Sequence, residues 1–174
     1  MTWGKLLQPD IVLGETILAL TPEILHQHNL KGLILDVDET LVPVSMTQAS
    51  EELRQWIATI RSEVSIWLVS NNLSQTRISN IAQSLDLPFM LGARKPSRRK
   101  LRHAADMMQI PFEQVAMVGD RLFTDVLAGN RLGMFTILVE PMIDPSRLKK
   151  RYPIRDFEVW VSQLLGATLS SNSQ

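Results

Sequence analysis

No cysteine occurs anywhere in the sequence. Its absence excludes a disulfide framework, thiol catalysis and a cysteine-ligated metal, and it fits a reducing compartment. Net charge is missing as well, because 18 Lys and Arg balance 18 Asp and Glu. Any electrostatic preference for a partner must therefore come from how the charges are distributed. No apolar run approaches the roughly 18 residues of a membrane span. Lys5, Asp10 and Glu15 interrupt the apolar residues at the N-terminus, so a secretory signal is not expected there. Histidine is scarce: His26 and His28 stand at i, i+2 with no third ligand beside them, and His103 lies among basic residues. Surface or capping roles are expected for all three. There is no internal repeat, and the only low-complexity piece is the polar end Ser170-Ser171-Asn172-Ser173-Gln174.

What remains has the composition of a compact enzyme. Apolar residues make up 45% and charged residues 21% of 174, enough for one domain with a sizeable core. We expect a single domain over 1–174, its core at about 30–141 with both terminal extensions packed on it. Apolar runs predict strands near Leu33–Asp36, Val64–Val69, Phe89–Leu91, Val115–Val118 and Phe135–Val139. Leu53, Trp56, Ile57 and Ile60 recur at helical spacing, as do Ile78, Ile81, Ala82 and Leu85 after the candidate cap Ser74. Two further helices are expected after Pro96 and after Asp125. Such alternation implies an α/β fold with a central parallel sheet and helices on both faces.

The chemistry-bearing residues gather at the ends of these strands. Asp36-Val37-Asp38-Glu39-Thr40 follows the run Leu33-Ile34-Leu35 directly, and ligands of open α/β sheets sit at strand C-terminal ends. Two close carboxylates repel each other and tend to be kept where a cation neutralises them. A second strand ends in Ser70-Asn71-Asn72. Lys95 precedes a proline placed to open a helix. A fourth segment, Val115–Val118, runs into Gly119-Asp120, with Asp125 five residues on. Singly, each has an ordinary reading as a turn, a surface charge or a helix cap. Their occurrence in order at strand ends calls for a common site. A carboxylate there can attack phosphorus and divide one hydrolysis into two easier steps. An ammonium and a hard cation would hold the phosphoryl charge.

This constellation resembles the haloacid dehalogenase superfamily of aspartate-nucleophile phosphotransferases. The resemblance implies a three-layer Rossmannoid fold with the Asp36 strand central, between the Ser70 and Asp120 strands. It makes Asp36 the nucleophile and Asp38 the acid/base. Thr40, Ser70, Asn71 and Lys95 would bind the phosphoryl group, and Asp36, Asp38, Asp120 and Asp125 would organise Mg²⁺. A dehalogenase releases halide, which needs no proton, and has little use for a metal-binding acidic pair, so with Asp38 and Asp120 both present phosphate chemistry is favoured over carbon–halogen cleavage. Many members of the superfamily carry a cap domain over the site. Here neither the Thr40–Ser70 gap nor the Asn72–Lys95 gap can hold a domain of about 50 residues, so an open site and a large substrate are expected.

Basic residues cluster twice without an acid between them: Arg94, Lys95, Arg98, Arg99, Lys100 and Arg102, then Arg147, Lys149, Lys150, Arg151 and Arg155. Arg94, Arg98 and Arg99 are candidate substrate or surface contacts. Such clusters attract anionic lipid, and nucleic acid equally well. From Leu7 to Pro141 the chain is similar to the capless YqeG-type branch, related to phosphatidylglycerophosphate phosphatases. The carriers include Leu7-Gln8-Pro9-Asp10, the Asp36 motif, Ala93-Arg94-Lys95-Pro96, Gly119-Asp120-Arg121 and Gly129-Asn130-Arg131. The chain has Glu39 where branch relatives often have Asn. We therefore expect a Mg²⁺-dependent phosphatase acting on phosphatidylglycerophosphate, cytoplasmic and peripheral on the inner face of a membrane. Protein or polynucleotide phosphate is the alternative substrate, and a catalytically idle scaffold is the alternative of another class. Phe157, Trp160, Val161, Leu164 and Leu165 are spaced as an apolar helical stripe, expected to pack on the sheet.

Overall fold

The computed structural model describes residues 3–144. Six parallel strands form one sheet: β1 (Ile11–Val12), β2 (Gly32–Leu35), β3 (Ser65–Val69), β4 (Phe89–Met90), β5 (Val115–Gly119) and β6 (Phe135–Leu138), in the order β1-β6-β5-β2-β3-β4. The helices are α1 (Trp3–Leu6), α2 (Pro22–Gln27), α3 (Glu51–Ile60), α4 (Gln75–Leu85), α5 (Arg99–Met108) and α6 (Leu127–Asn130).

The central strands read as unbroken apolar runs because both of their faces are buried. In β2, Leu33 and Leu35 join a core with α3 and α4, while Ile34 joins another with α5 and α6. Adjacent β5 divides in the same way, with Ala116 and Val118 on the first face and Val115 and Met117 on the second. The result is three layers. Leu53, Trp56, Ile57 and Ile60 of α3, and Ile78, Ile81, Ala82 and Leu85 of α4, are the buried faces that their spacing predicts. Between Thr40 and Ser70 lie a loop, α3 and β3; between Asn72 and Lys95 lie α4 and β4. Neither interval holds a cap domain.

Several expectations need correction. The sheet has a sixth strand, β1, hydrogen-bonded along β6. The N-terminal segment is fastened there by polar side chains: Asp10 accepts from the Thr136 N–H at 2.8 Å, and Asn130 Nδ2 donates to the carbonyls of Leu6 and Gln8, both at 2.9 Å. Pro96 does not open a helix. The Lys95–Pro96 peptide is cis, and α5 begins three residues later at Arg99. Asp125 does not start a helix either; it sits inside a π-helical turn, Leu122–Val126, that leads into α6. Ser74 occupies the N-cap of α4 without a side-chain capping bond, and its own N–H donates to Asn72 Oδ1 at 2.8 Å. His26 pairs with Glu63, and the His28 ring lies against Phe135. The second basic stretch, Arg147–Arg155, and the apolar stripe Phe157–Leu165 fall outside the described residues.

Trp56 ties α3 to the preceding 3₁₀ turn, its indole N–H donating to the Leu20 carbonyl at 2.8 Å. Both groups are buried. Trp56→Phe keeps one aromatic ring, strands that carbonyl and leaves a small void where the indole's second ring lay, so urea unfolding should show a loss of at least about 1–3 kcal/mol. An unchanged midpoint would mean that the bond contributes nothing net.

Candidate active site

Three neighbouring parallel strands, β5-β2-β3, end at one edge, and the residue after each faces the same small volume. Asp36 follows β2, Ser70 follows β3 and Asp120 follows β5. The ladder continues one residue past β2, where the Asp36 N–H donates to the Val118 carbonyl at 3.0 Å. Lys95 arrives from the loop beyond edge strand β4. That loop is held by the Ala93 N–H on the Ser70 carbonyl at 2.9 Å and by Asn71. Asn71 Oδ1 accepts from the Lys95 N–H at 2.7 Å, and its Nδ2 donates to the Lys95 carbonyl at 3.2 Å. Expected among the phosphate ligands, Asn71 uses both ends of its amide to set the Lys95 backbone.

The Lys95 side chain is 1% exposed. Its ammonium donates to Asp36 Oδ1 at 2.6 Å and to the Val69 carbonyl at 3.0 Å, and pairs with Asp125 Oδ1 at 2.7 Å. Burial works against the Lys95 charge, but Asp125 and Asp36 outweigh it and raise the pKa above the ordinary lysine value. Burial is also the largest influence on Asp36. Lys95 opposes it, Asp125 adds to it, and the carboxyl is pushed up to about 7. Asp120 is raised to about 8, first by burial, then by the charges of Asp125 and Asp36, against a 3.2 Å hydrogen bond from Thr40. Asp125 is wholly buried beneath Gly119, where a Cβ would meet its Oδ2 at 2.3 Å. Only glycine permits that approach.

Asp38 is held apart from this group. Arg77 Nη1 pairs with its Oδ1, while Ser70 Oγ at 3.3 Å and Asn72 Nδ2 at 3.2 Å donate to Oδ2. Arg77 also donates to the carbonyls of Pro43 at 3.1 Å and Met46 at 2.9 Å, so it fixes the loop leaving the Asp36 motif. Asp38, expected among the metal residues, thus has its carboxylate committed elsewhere. Arg77 is the residue that sequence reasoning missed. Its one available signal was its place in the first turn of the helix after Ser70-Asn71-Asn72, facing the site. Glu39 has φ +63°, in the left-handed region where Asn is the commonest residue after Gly. Its Oε1 accepts from the Val44 N–H at 3.2 Å, a turn role outside the catalytic group. Arg94, Arg98 and Arg99 are exposed on the approach to α5 and reach none of these carboxylates.

Residues 92–156 match the family model described as HAD-hydrolase-like. The chain is 37% identical over 129 residues to "Probable phosphatase YqeG" of Bacillus subtilis (strain 168), with 74% of each covered. The chain belongs to the haloacid dehalogenase-like phosphatase family. It is also 27% identical over 142 residues to a phosphatidylglycerophosphate phosphatase of Arabidopsis thaliana, 76% of this chain but 40% of that relative. A solved structure described as an HAD family hydrolase from Streptomyces avermitilis shares the fold at 17% identity. Its TM-score is 0.53, covering 84% of this chain and 90% of that one.

Members of this family generally use Mg²⁺, and the residues present fit a hard divalent cation. Asp36, Asp120 and Asp125 can each bring one oxygen within 4.8 Å of the others. Asp125 Oδ2 is buried and has no hydrogen-bond partner among the described residues. Three carboxylates face one ammonium, and a divalent cation would balance the remaining two charges with the all-oxygen donors that Mg²⁺ prefers.

Without a cation that imbalance destabilises the fold. A carboxyl whose folded pKa is raised from 3.8 to about 8 binds its proton more tightly when folded, so stability falls as pH rises through that window. Asp120→Asn should therefore raise the melting temperature of metal-free protein near pH 8–9, by about 2–4 °C for each kcal/mol recovered, and leave it almost unchanged near pH 4. Mg²⁺ should stabilise the parent more than the variant. Differential scanning calorimetry in chelator checks both, and a destabilised variant at high pH would contradict the charge assignment.

Proposed function

We propose that this chain is a Mg²⁺-dependent phosphomonoesterase that forms an aspartyl-phosphate on Asp36, with phosphatidylglycerophosphate as its substrate at a membrane surface. The observation that carries the chemistry is the pairing of Asp36 with buried Lys95, while Asp38, two residues on, is held separately by Arg77, Ser70 and Asn72. Two carboxylates in different surroundings suit two different tasks.

In the first half-reaction an oxygen of Asp36 attacks phosphorus as the ester P–O bond breaks, and Asp38, having taken a proton from solvent, passes it to the departing alkoxide. In the second, Asp38 takes a proton from water, whose oxygen attacks the same phosphorus. The bond to Asp36 breaks and inorganic phosphate leaves. Lys95 orients the Asp36 carboxylate and offsets the phosphoryl charge throughout. Asp36, Asp120 and Asp125 would hold Mg²⁺, which when bound neutralises the phosphoryl oxygens. Ser70 and Thr40 hydroxyls keep Asp38 and Asp120 in place.

The lipid substrate rests on the similarity to the Arabidopsis thaliana phosphatidylglycerophosphate phosphatase and on the capless site. An uncovered strand edge can meet a phosphate presented by a large body, whereas a small sugar phosphate would find little contact area. Among the described residues no helix is long and apolar enough to cross a membrane, and the proposed membrane contact is peripheral.

Asp36→Asn should lower kcat by about three orders of magnitude or more with the melting curve retained. Asp38→Asn should hurt most with poor leaving groups, which need its proton. Activity should vanish in chelator and return with Mg²⁺. Turnover of phosphatidylglycerophosphate in detergent, measured beside a phosphopeptide and a 5′-phosphorylated oligonucleotide, checks the substrate. Preference for either alternative would overturn the lipid assignment and leave the chemistry intact.

A further inference from the structure

A concavity of about 440 Å³ opens beside the catalytic loop, lined by Ser97, Arg98, Arg99, Arg102 and Arg131. Ser97 lies two residues past Lys95, Arg98 is the N-cap of α5, Arg99 and Arg102 belong to that helix, and Arg131 closes α6. No carboxylate lines the concavity, and none of its four arginines makes an ion pair among the described residues.

This arrangement runs against two ordinary preferences. The N-terminal end of a helix carries partial positive charge and favours acids, yet the first turn of the ten-residue α5 has none and opens on arginines. Converging guanidinium groups also repel one another. Three of the four are nevertheless held in place. Arg98 Nη1 donates to the Arg131 carbonyl at 3.1 Å, Arg131 Nη1 donates to the Pro96 carbonyl at 3.2 Å, and the Arg102 guanidinium stacks 5.3 Å from the centre of the Phe112 ring. Bracing of this kind restrains Arg98, Arg102 and Arg131 and leaves further N–H donors on each guanidinium. Such groups match phosphate oxygens bidentately.

We propose that this concavity is a second phosphate site, which takes the phosphodiester of a phospholipid headgroup while the reacting phosphomonoester lies against Asp36. The proposal rests on the lipid reading above. Phosphatidylglycerophosphate carries one group of each kind, and an anionic bilayer supplies the same diester on neighbouring headgroups. The site explains why the arginines converge next to the loop that delivers Lys95. It also gives an uncapped centre a second point of attachment for its substrate.

The test compares Arg99→Glu/Arg102→Glu with a control reversal on α3, Arg54→Glu/Arg61→Glu. Neither pair includes a group placed at the reacting phosphate. The parent should co-sediment with phosphatidylglycerol vesicles and not with phosphatidylcholine vesicles. Arg99→Glu/Arg102→Glu should lose about tenfold or more of that affinity, while kcat/KM on p-nitrophenyl phosphate stays within about twofold of the parent. The α3 reversal should keep vesicle binding. Two further arms separate the sources of the diester. A raised KM for phosphatidylglycerophosphate in neutral detergent places the substrate's own diester in the site; lost vesicle binding with unchanged KM places a neighbouring headgroup there. Equal losses in the two reversals would reduce the effect to net charge and overturn the proposal, as would vesicle binding and KM both unaffected. If the parent fails to hydrolyse phosphatidylglycerophosphate while the vesicle difference persists, the substrate reading falls and the headgroup site stands.

Discussion

The ammonium of Lys95, buried between Asp36 and Asp125, is the interaction on which the rest of the site depends. An isolated charge at that depth would be prohibitively expensive. Its place is secured by two carboxylates and the Val69 carbonyl at the end of β3. Each of these comes from a different part of the sheet edge: Asp36 from β2, Asp125 from the turn after β5, and Val69 from β3. One cation therefore holds together the loops that the parallel strands release at their C-terminal ends. Asn71 secures the backbone of Lys95 in turn, and Gly119 leaves room for Asp125 beneath it. The contact is also unbalanced, since Asp120 adds a third carboxylate nearby. That residual negative charge is what makes the centre receptive to a divalent cation.

The second acid is treated differently, and the difference has chemical meaning. Asp36 faces an ammonium and low-dielectric surroundings, whereas Asp38 is partly exposed and set by a guanidinium, a hydroxyl and an amide. In the proposed mechanism the nucleophile must be ionised and aimed at phosphorus, and the acid/base must meet the leaving oxygen and then water. Arg77 links this division to the fold, because the guanidinium that positions Asp38 also fastens the Pro43–Met46 loop.

Much of this was legible in the sequence wherever burial on both faces turns a strand into an apolar run. Leu33–Leu35 and Val115–Val118 announced central strands, and the carboxylates after them announced the reactive edge. The helices α3 and α4 were readable from single buried stripes. Other features leave no such pattern. β1 has two residues, too few for any periodicity, and its attachment depends on Asp10, Asn130 and Thr136, which come from distant parts of the chain. Pro96 suggested a helix start, but α5 begins three residues later, at Arg99. Asp125 looked like a cap and is instead carried within a π-helical turn, which points its side chain under Gly119. Arg77 looked like any polar residue on a helix surface. Its role depends on a loop 31 residues earlier in the chain.

No cap domain covers this centre among the described residues, and the arginine-lined concavity beside Lys95 is where a second contact with the substrate is proposed. The central claim is narrower: phosphate passes through a covalent bond to Asp36. The most direct measurement is a rapid acid quench of the enzyme during turnover of a phosphomonoester with Mg²⁺, followed by peptide mapping for phosphate. Our account predicts a hydroxylamine-sensitive acyl phosphate on the peptide containing Asp36, absent from Asp36→Asn. Phosphate on another residue, or unimpaired turnover by Asp36→Asn, would contradict it.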